Sequence, residues 1–432
     1  MKYIIILLVT LFSLPVHALA PVQEVTSDKG IKAWLIEDHT NPIVAMRFSF
    51  RGGSALDPDG KEGLARLASS TMDEGAGKWD SQGFQSRLED LSITIRFEAG
   101  MDSYSGRLLT LSENLDASVD MLKTALTDPR FETEPVERIR SQILADLRQR
   151  EEDPDSLAAL SLYKQIFGDH PYARGSRGTL SGVANITPDD LKSFAKTRLG
   201  KDNLIVGVSG DITPDQLKVL LDKTFGDLPD KAASWHVPAA KIAFSNGLTV
   251  IDKPVPQSSI IFAQKGIERD HKDFYPAYVL NYILGGGGFS SRLYEEVREK
   301  RGLVYSVYSY LANYEEAELW MAGAGTQNAR VKETLDVVRA EWEKAAREGV
   351  SEQEVMDAKT YLTGSFALRF KSSDAIASIL VGMQKDHLPI DFLETRNQEV
   401  EAVTPEDVNR VAKSLLTPEN LMAVVVGQPT GL

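Results

Sequence analysis

One segment of about 25 residues occurs twice in this chain of 432 residues. Residues 186–210 read ITPDDLKSFAKTRLGKDNLIVGVSG, and residues 403–427 read VTPEDVNRVAKSLLTPENLMAVVVG. The two segments align without a gap at an offset of 217 residues, from position 186 to position 403. Each begins with a Thr-Pro-acid-Asp helix start and ends in an apolar strand that follows Asn-Leu. The sequence therefore predicts two copies of one α+β unit.

The segment 229–243 separates the two copies. It is rich in Pro, Ala and charged residues, which is typical of a linker. It divides the chain into an N-terminal domain, 21–228, and a C-terminal domain, 244–432. Each domain is long enough to bury a core of its own.

The first twenty residues, 1–20, have the pattern of a secretory signal peptide. Lys2 is followed by an apolar run from Tyr3 to Leu14, then by Pro15 and the small-residue sequence Ala18-Leu19-Ala20. The apolar run is too short to span a hydrocarbon core of ~30 Å as a helix. We expect cleavage after residue 20, no membrane anchor after that cleavage, and a periplasmic location.

Composition excludes several classes of function. The chain contains no Cys, which excludes a disulfide framework, a lipid-modified Cys, a thiolate metal site and a Cys nucleophile. The formal net charge of −14 argues against binding to nucleic acid and to anionic membrane surfaces.

The segment 285–310, GGGGFSSRLYEEVREKRGLVYSVYSY, begins with four consecutive glycines. Glycine has no Cβ, so this backbone can adopt positive φ angles and allow another chain to approach closely. A short amphipathic helix with Leu293 and Val297 on its apolar face is predicted next, and Gly302 ends it. Residues from Val304 to Tyr310 are predicted to form a strand.

Arg298 and Tyr305 lie at the predicted helix end and strand start. A planar guanidinium and a phenol at these positions can address one ligand. A structural interpretation stays open at this point, because glycine-rich turns are common and an Arg in an acidic chain often pairs with Glu.

Residues 298–306, REKRGLVYS, together with the preceding glycines, resemble the substrate-binding motif of the M16 (pitrilysin-like) metallopeptidase family. The resemblance implies two homologous halves, each a mostly antiparallel sheet with helices packed on it, that close like a clam shell. It implies that Arg298 and Tyr305 hold the substrate and the tetrahedral intermediate. It also implies that the preceding loop binds substrate through Gly285, Gly286, Gly287, Gly288, Phe289 and Ser290.

Catalytic members of that family carry an inverted zinc motif, H-x-x-E-H, after a G-L-A sequence. Helical spacing places two imidazoles on one face to bind Zn²⁺ while the Glu acts as a base. Here residues 63–65 read GLA, but Arg66 and Ser70 stand in place of the histidines and Ser69 in place of the Glu. Asp146 stands where the family has its third ligand, a Glu on a later helix. We expect an Arg66–Asp146 ion pair and no zinc in this chain.

No other local catalytic motif is visible in the sequence. Neither Ser69 nor Ser70 has an adjacent His, and neither G-x-S-x-G nor G-x-x-x-x-G-K-[ST] occurs. The histidines are too far apart in sequence to share a helix face: His17, His39, His170, His236, His271 and His387. His170 is predicted to be structural. These observations disfavour an autonomous peptidase that uses other ligands.

A retained Arg298 and Tyr305 beside lost zinc ligands resembles the non-catalytic subunit of a heterodimeric periplasmic M16 zinc peptidase. In such pairs, the homologous partner carries H-x-x-E-H and zinc, and this chain would supply Arg298 and Tyr305 in trans. The expected substrate is a peptide or unfolded protein, bound as an added strand at a sheet edge. The alternative is a non-enzymatic M16-like binding or structural protein that forms homodimers, comparable to core subunits of respiratory complexes.

Overall fold

A computed structural model describes residues 20–242, 244 and 247–432. The predicted signal peptide, 1–20, lies outside the described residues except for Ala20, and its cleavage stays a prediction. Residue 243, the last of the predicted linker, also lies outside them. Within the described ranges, we find no helix with the length and apolar character needed to cross a lipid bilayer.

The described part of the first half contains six strands and eight α-helices. The strands are β1 (Gln23–Thr26), β2 (Lys32–Glu37), β3 (Ile43–Arg51), β4 (Thr94–Ala99), β5 (Ser103–Leu111) and β6 (Leu204–Gly210). The helices are α1 (Leu64–Thr71), α2 (Ser81–Asp90), α3 (Leu115–Thr127), α4 (Thr133–Glu152), α5 (Pro154–Phe167), α6 (Leu180–Asn185), α7 (Pro188–Arg198) and α8 (Pro214–Phe225).

The described part of the second half contains five strands and six α-helices. The strands are β7 (Leu248–Asp252), β8 (Gln257–Lys265), β9 (Val304–Tyr314), β10 (Ala317–Gln327) and β11 (Met422–Gly427). The helices are α9 (Phe274–Asn281), α10 (Val331–Glu348), α11 (Glu352–Gly364), α12 (Ser373–Lys385), α13 (Phe392–Ala402) and α14 (Pro405–Leu415).

The two sheets share one strand order. The order is β2-β6-β3-β5-β4 in the first sheet and β7-β11-β8-β10-β9 in the second, and β1 extends the first sheet next to β2. In both sheets the first pair of that order is parallel and the other pairs are antiparallel. The α+β fold class with two homologous halves, each built on a mostly antiparallel sheet, is therefore confirmed.

The sequence repeat corresponds to a repeat of local structure. Thr187 and Asp190 form a reciprocal capping box at the start of α7, and Thr404 and Asp407 form the same box at the start of α14. Each helix leads through a short 3-10 turn to an interior strand of its sheet, β6 or β11. One local pattern thus builds the same part of both halves.

Each half has its own apolar core, built around aromatic side chains. In the first half, the Phe48 and Phe225 rings meet edge to face with centroids 5.4 Å apart. In the second, Trp320 and Trp342 do so at 5.7 Å, and both are fully buried. Such pairs contribute about 0.5–1.5 kcal/mol each beyond the area that they bury.

The two halves exchange equivalent helices, which the sequence did not predict. Helix α5 belongs to the first half, but its buried residues Leu162 and Ile166 pack in a cluster with Met321 and Val424 of the second sheet. Helix α12 of the second half packs on the first sheet, where Leu380 lies in a cluster with Ile36 and Trp34. Apolar burial therefore joins the halves in both directions.

Polar contacts also join the halves. Arg47 of β3 binds the carboxylate of Asp374 through two nitrogens, at 2.7 and 2.5 Å. Arg51 at the end of the same strand binds Glu315 in the same bidentate manner, at 3.0 and 2.9 Å. These contacts connect the first sheet with the start of α12 and with the turn between β9 and β10, and so fix how the halves face each other.

Candidate functional site

Helix α1 carries the residues that replace the family's zinc motif. Its first turn is capped by Asp57, whose carboxylate accepts hydrogen bonds from the backbone N–H groups of Gly63 at 2.8 Å and Ala65 at 3.0 Å. Burial raises the pKa of Asp57 to about 6. At Gly63, φ is +106° and a Cβ would lie 2.5 Å from a methyl group of Val183, so only glycine fits.

Arg66 and Asp146 form the ion pair that the sequence predicted. Nη2 of Arg66 donates to Oδ2 of Asp146 at 2.7 Å, and Nε of Arg150 donates to the same oxygen at 3.3 Å. The hydrogen bond from Arg66 lowers the pKa of Asp146. Ser69 is buried and donates to the Arg66 carbonyl at 2.9 Å, one turn back in the helix. The face of α1 that would hold a metal thus holds a guanidinium.

These residues do not fit a zinc ion. Zinc in proteins is bound by imidazole, thiolate and carboxylate groups. Here the set is Arg66, Ser69, Ser70 and Asp146, and the carboxylate already accepts hydrogen bonds from two arginines. Over the part of the chain that the structure describes, no three His, Cys, Asp or Glu side chains gather into a group that could hold a metal. We assign no zinc-dependent step to this chain.

Two histidine environments bear on other kinds of catalysis. His39 contacts Asp211 at 2.7 Å, but Ser112 donates to the other oxygen of Asp211 at 2.6 Å and not to the imidazole. This Ser therefore lacks the base that a nucleophile needs. His170 contacts the Pro238 carbonyl at 2.7 Å and accepts from the Tyr172 N–H at 3.2 Å, in agreement with its predicted structural role.

A cleft of about 850 Å³ lies between the two halves. Its wall on the first half includes Asp146, Arg150 and Arg177, so the Arg66–Asp146 pair borders it. Its other wall is formed by strands β8, β9 and β10 of the second sheet. These strands contribute small residues and tyrosines: Ser259, Ser306, Tyr308, Tyr310, Gly323 and Gly325. The ring of Tyr308 lies directly over Gly323, where a Cβ would be 2.7 Å from its hydroxyl.

Three of the four consecutive glycines are required by the chain's own packing. A Cβ added at Gly285 would lie 2.6 Å from Ser309, and one added at Gly286 would lie 2.6 Å from Asn281. One added at Gly287 would lie 2.8 Å from a backbone oxygen. Only Gly288 has a positive φ, +56°, and open space around it. The exposed residues of the loop are Gly286, Gly288, Phe289, which is 83% exposed, and Ser290. Substrate binding by the loop stays a prediction.

The loop is flanked by two π-helical segments, Tyr282–Gly286 and Tyr294–Glu299. The predicted amphipathic α-helix is thus partly π-helical, although Leu293 and Val297 are buried as predicted. At the end of this segment, the backbone N–H of Lys300 donates a hydrogen bond to the carbonyl of Glu295, five residues earlier, at 2.9 Å. Short π segments are rare and occur frequently at functional sites.

Arg298 and Tyr305 lie on either side of Gly302, and the Arg298 side chain is about one-third exposed. Arg298 contacts Glu299 at 3.4 Å and lies over the Tyr294 ring at 4.7 Å; neither contact involves Tyr305. Tyr305 is 73% exposed and sits with Ser306 at a β-bulge opposite Gly325. Ser306 borders the cleft, but Arg298 and Tyr305 are not part of its lining. The structure therefore does not bring this pair together with Arg66 and Asp146.

A bidentate ion pair that the sequence did not reveal anchors this region. Arg292 donates to both oxygens of Glu354, at 2.5 and 2.8 Å. Glu354 also accepts from the N–H and hydroxyl of Ser351 in the capping box of α11, and these contacts lower its pKa to about 2. The segment that carries Arg298 is thereby fixed to α11.

Comparison with known proteins identifies the family of this chain. Residues 32–180 match the family model described as Insulinase (Peptidase family M16), and residues 185–362 match the one described as Peptidase M16 inactive domain. The two matches together take in most of the chain. The chain belongs to peptidase family M16. The identification made from the Arg298–Ser306 motif is confirmed.

This M16 protein resembles inactive relatives over nearly its full length. It is 28% identical over 432 residues to a Helicobacter pylori protein named Non-peptidase homolog YmxG, with 98% of each chain covered. A solved structure of the peptidase M16 inactive domain from Pseudomonas fluorescens is 29% identical, with a TM-score of 0.88 over 95% of this chain and 98% of that one. A chain of Complex III2 from Candida albicans shares the fold, at 18% identity and a TM-score of 0.77 over 94% and 96% of the two chains.

Proposed function

We propose that this M16 protein is the non-catalytic, substrate-binding subunit of a heterodimeric periplasmic zinc peptidase. The observation that carries the proposal is the contrast between two sites. At the zinc-motif positions, Arg66 and Asp146 satisfy each other. Around the glycine-rich loop, Arg298 is partly exposed on a π-helical segment and Tyr305 is exposed at a β-bulge. The chain has lost the means to bind zinc and has kept the family's substrate-binding side chains.

In this proposal Arg298 and Tyr305 act on a substrate held at the partner's zinc ion, where the peptide bond is hydrolysed. A guanidinium and a phenol donate hydrogen bonds to the carbonyl oxygen that gains negative charge in the tetrahedral intermediate. Donors aimed at a developing oxyanion contribute about 3–4 kcal/mol each in other hydrolases. The weak contact of Arg298 with Glu299, at 3.4 Å, leaves its guanidinium available for such a role.

The substrate would be an extended peptide or an unfolded protein. Strand β9 forms the edge of the second sheet, because it pairs only with β10 among the described strands. An unpaired edge can accept another strand through backbone hydrogen bonds. Tyr305 lies on β9 itself, and Phe289 lies on the loop that precedes it. Both side chains are exposed, so they are placed to contact side chains of the added strand.

The test is peptide cleavage by this protein alone and mixed with its nearest H-x-x-E-H homologue. We expect chelator-sensitive cleavage of an unstructured peptide library by the mixture only. Arg298→Ala or Tyr305→Phe should abolish it. Arg347→Ala is a matched control, because Arg347 is exposed and, among the described residues, pairs only with Glu343 on its own helix. Cleavage that persists without Arg298 and Tyr305 would overturn the proposed roles.

A second candidate is a non-enzymatic M16 protein that binds or organises other proteins as a homodimer. The likeness in fold to a chain of Complex III2 and the name of the Helicobacter pylori relative favour it. It predicts a stable homodimer on a sizing column and no complex or cleavage with any H-x-x-E-H homologue. The periplasmic location is tested separately, by cell fractionation and N-terminal sequencing, with Pro21 expected as the first residue.

A further inference from the structure

Arg150 and Arg177 line the cleft, and Arg66 contacts both Asp146 and the Arg177 carbonyl. Arg66 and Arg150 both donate to Oδ2 of Asp146. Arg177 lies beside them, since its carbonyl accepts from Nη1 of Arg66 at 3.3 Å, yet among the described residues its own guanidinium has no ion pair. Partial desolvation and the like charges of Arg150 and Arg66 lower the pKa of Arg177. An anion placed at Arg177 would relieve this repulsion.

The other carboxylates at the cleft do not neutralise Arg177. Asp153 caps α5 by accepting a hydrogen bond from the Ser156 N–H at 2.9 Å. Asp155 is exposed in the first turn of the same helix. Both carboxylates are therefore placed to complement the N-terminus of α5. The charges of Asp146 and Glu98 also act on Arg177, but among the described residues neither carboxylate forms an ion pair with its guanidinium.

The backbone holds Arg177 in place. It lies between Gly175 and Gly178, whose φ angles are +72° and +82°. A Cβ at Gly178 would lie 2.5 Å from the Glu62 carbonyl oxygen and from the Gly63 Cα, so this loop is pressed against the start of α1. The backbone that carries Arg177 is thus fixed before a ligand arrives, which reduces the entropy lost on binding.

Arg177 stands where the cleft meets an adjoining pocket of about 440 Å³. That pocket is lined mainly by apolar side chains, among them Leu147, Leu157, Leu160 and Tyr163. Leu160 is 52% exposed. A cation at the mouth of an apolar pocket matches a ligand that carries a negative group next to an apolar side chain.

We infer that Arg177, assisted by Arg150, forms a carboxylate-binding subsite beside the lost zinc position. The subsite takes an extended peptide that presents a carboxylate next to an apolar residue, which enters the pocket at Leu160. A guanidinium binds a carboxylate through two parallel hydrogen bonds. The carboxylate belongs either to an acidic side chain or to the peptide's C-terminus. The inference rests on the proposed role in peptide binding and names its substrate class.

The test measures binding of labelled peptides to this protein alone by fluorescence anisotropy. Three peptides share one unstructured sequence: one with an internal Glu-Leu and an amidated C-terminus, one with Gln-Leu and an amidated C-terminus, and one with Gln-Leu and a free C-terminal Leu carboxylate. We expect at least one carboxylate peptide to bind about ten-fold more tightly than the all-amide peptide, as one charge-assisted contact implies. The preferred form identifies the source of the carboxylate.

Arg177→Gln should remove the preference without weakening the all-amide peptide, and Arg177→Lys should retain part of it. Arg148→Gln is the matched control, because Arg148 is exposed on α4 and does not line the cleft. Since the Arg177 side chain has no ion pair within the described ranges, the melting temperature of Arg177→Gln should match that of the wild type.

Equal binding of all three peptides, a preference that survives Arg177→Gln, or no binding of any peptide would overturn the inference. The proposed function is judged separately, by cleavage in the mixture with the H-x-x-E-H homologue. A mixture that cleaves the all-amide and carboxylate peptides at equal rates would retain the proposed function while removing the carboxylate subsite.

Discussion

Nη2 of Arg66 lies 2.7 Å from Oδ2 of Asp146, and the resemblance to catalytic M16 members predicts that both residues stand at zinc-ligand positions. An Arg here supplies the positive charge that a metal ion would otherwise place beside Asp146. The family's surviving carboxylate is therefore not left unpaired at the cleft, where it would cost free energy. The ion pair connects α1 to α4.

Asp146→Asn should destabilise the first half modestly. The Asp146 side chain is 37% exposed, so solvent screening limits the expected loss to about 1 kcal/mol. The pKa of Asp146 is lowered in the folded state, so its contribution is present above the unfolded value of 3.8 and is lost as the pH falls below it. Melting temperatures measured from neutral pH to about pH 3 should therefore converge for the wild type and the variant.

Asp215→Asn is the control for that measurement, because Asp215 is 92% exposed and its one ion pair within the described ranges is with Lys218 on its own helix. If Asp146→Asn shows the stability and pH dependence of the wild type, the ion pair contributes nothing to the fold.

Asp57→Ala should destabilise the protein more strongly, because it removes the cap of α1. The N–H groups of Gly63 and Ala65 would lose their buried acceptor, at a cost of about 1–3 kcal/mol. The raised pKa, about 6, means that the folded state binds a proton more tightly than the unfolded state does. In the wild type, this group's contribution to stability therefore increases as the pH falls from about 6 to 3.8, and the variant should lack this increase.

Asp59→Ala tests whether that effect is specific. Asp59 lies in the same turn and is 99% exposed in its pair with Arg174. Its removal should change the free energy of unfolding by less than about 0.5 kcal/mol. An equal loss in both variants would show that the turn, and not the cap, determines the stability of α1.

Leu162→Ala should destabilise both halves together. Leu162 is fully buried on α5 between the first half, to which it belongs, and the second sheet, on which it packs. Truncation of such a Leu costs about 2–5 kcal/mol. Leu160→Ala on the same helix is the control, since Leu160 is 52% exposed. We expect one cooperative unfolding transition, shifted to lower temperature, in calorimetry; two separate transitions would show that the exchanged helices do not couple the halves.

The sequence revealed those features that local pattern determines. The repeat of residues 186–210 at 403–427 specified two like units, and the capping boxes at Thr187 and Thr404 form as their residue types require. Arg66 and Asp146 could be paired because a family resemblance placed both at one site.

The remaining features depend on tertiary contacts that no periodicity encodes. The apolar face of α5 shows that Leu162 is buried, but not which sheet buries it. The π-helical segments near Tyr282 and Tyr294 are recognisable only from their backbone hydrogen bonds. Arg177 gave no signal in the sequence, because its distinction is the lack of an ion pair among the described residues.

Glu354→Gln should weaken substrate binding although Arg298 and Tyr305 themselves are unchanged. The charge pair with Arg292 fixes the segment that carries Arg298 to α11, and a neutral Gln cannot bind the guanidinium through two carboxylate oxygens. The shift of the pKa to about 2 from 4.5 corresponds to about 3 kcal/mol at most. Because this pKa is lowered, that stability is present above pH 4.5 and is lost as the pH falls toward 2.

The position of Arg298 depends on the Arg292–Glu354 ion pair, which fixes its segment to α11. A looser segment positions the guanidinium less accurately, so cleavage by the mixture with the H-x-x-E-H homologue should fall about ten-fold or more, as for other misplaced catalytic groups. Glu343→Gln is the control, since its pair with Arg347 is exposed and lies within one helix. If Glu354→Gln lowers the melting temperature but leaves the cleavage rate unchanged, the anchor serves the fold alone and Arg298 does not depend on it.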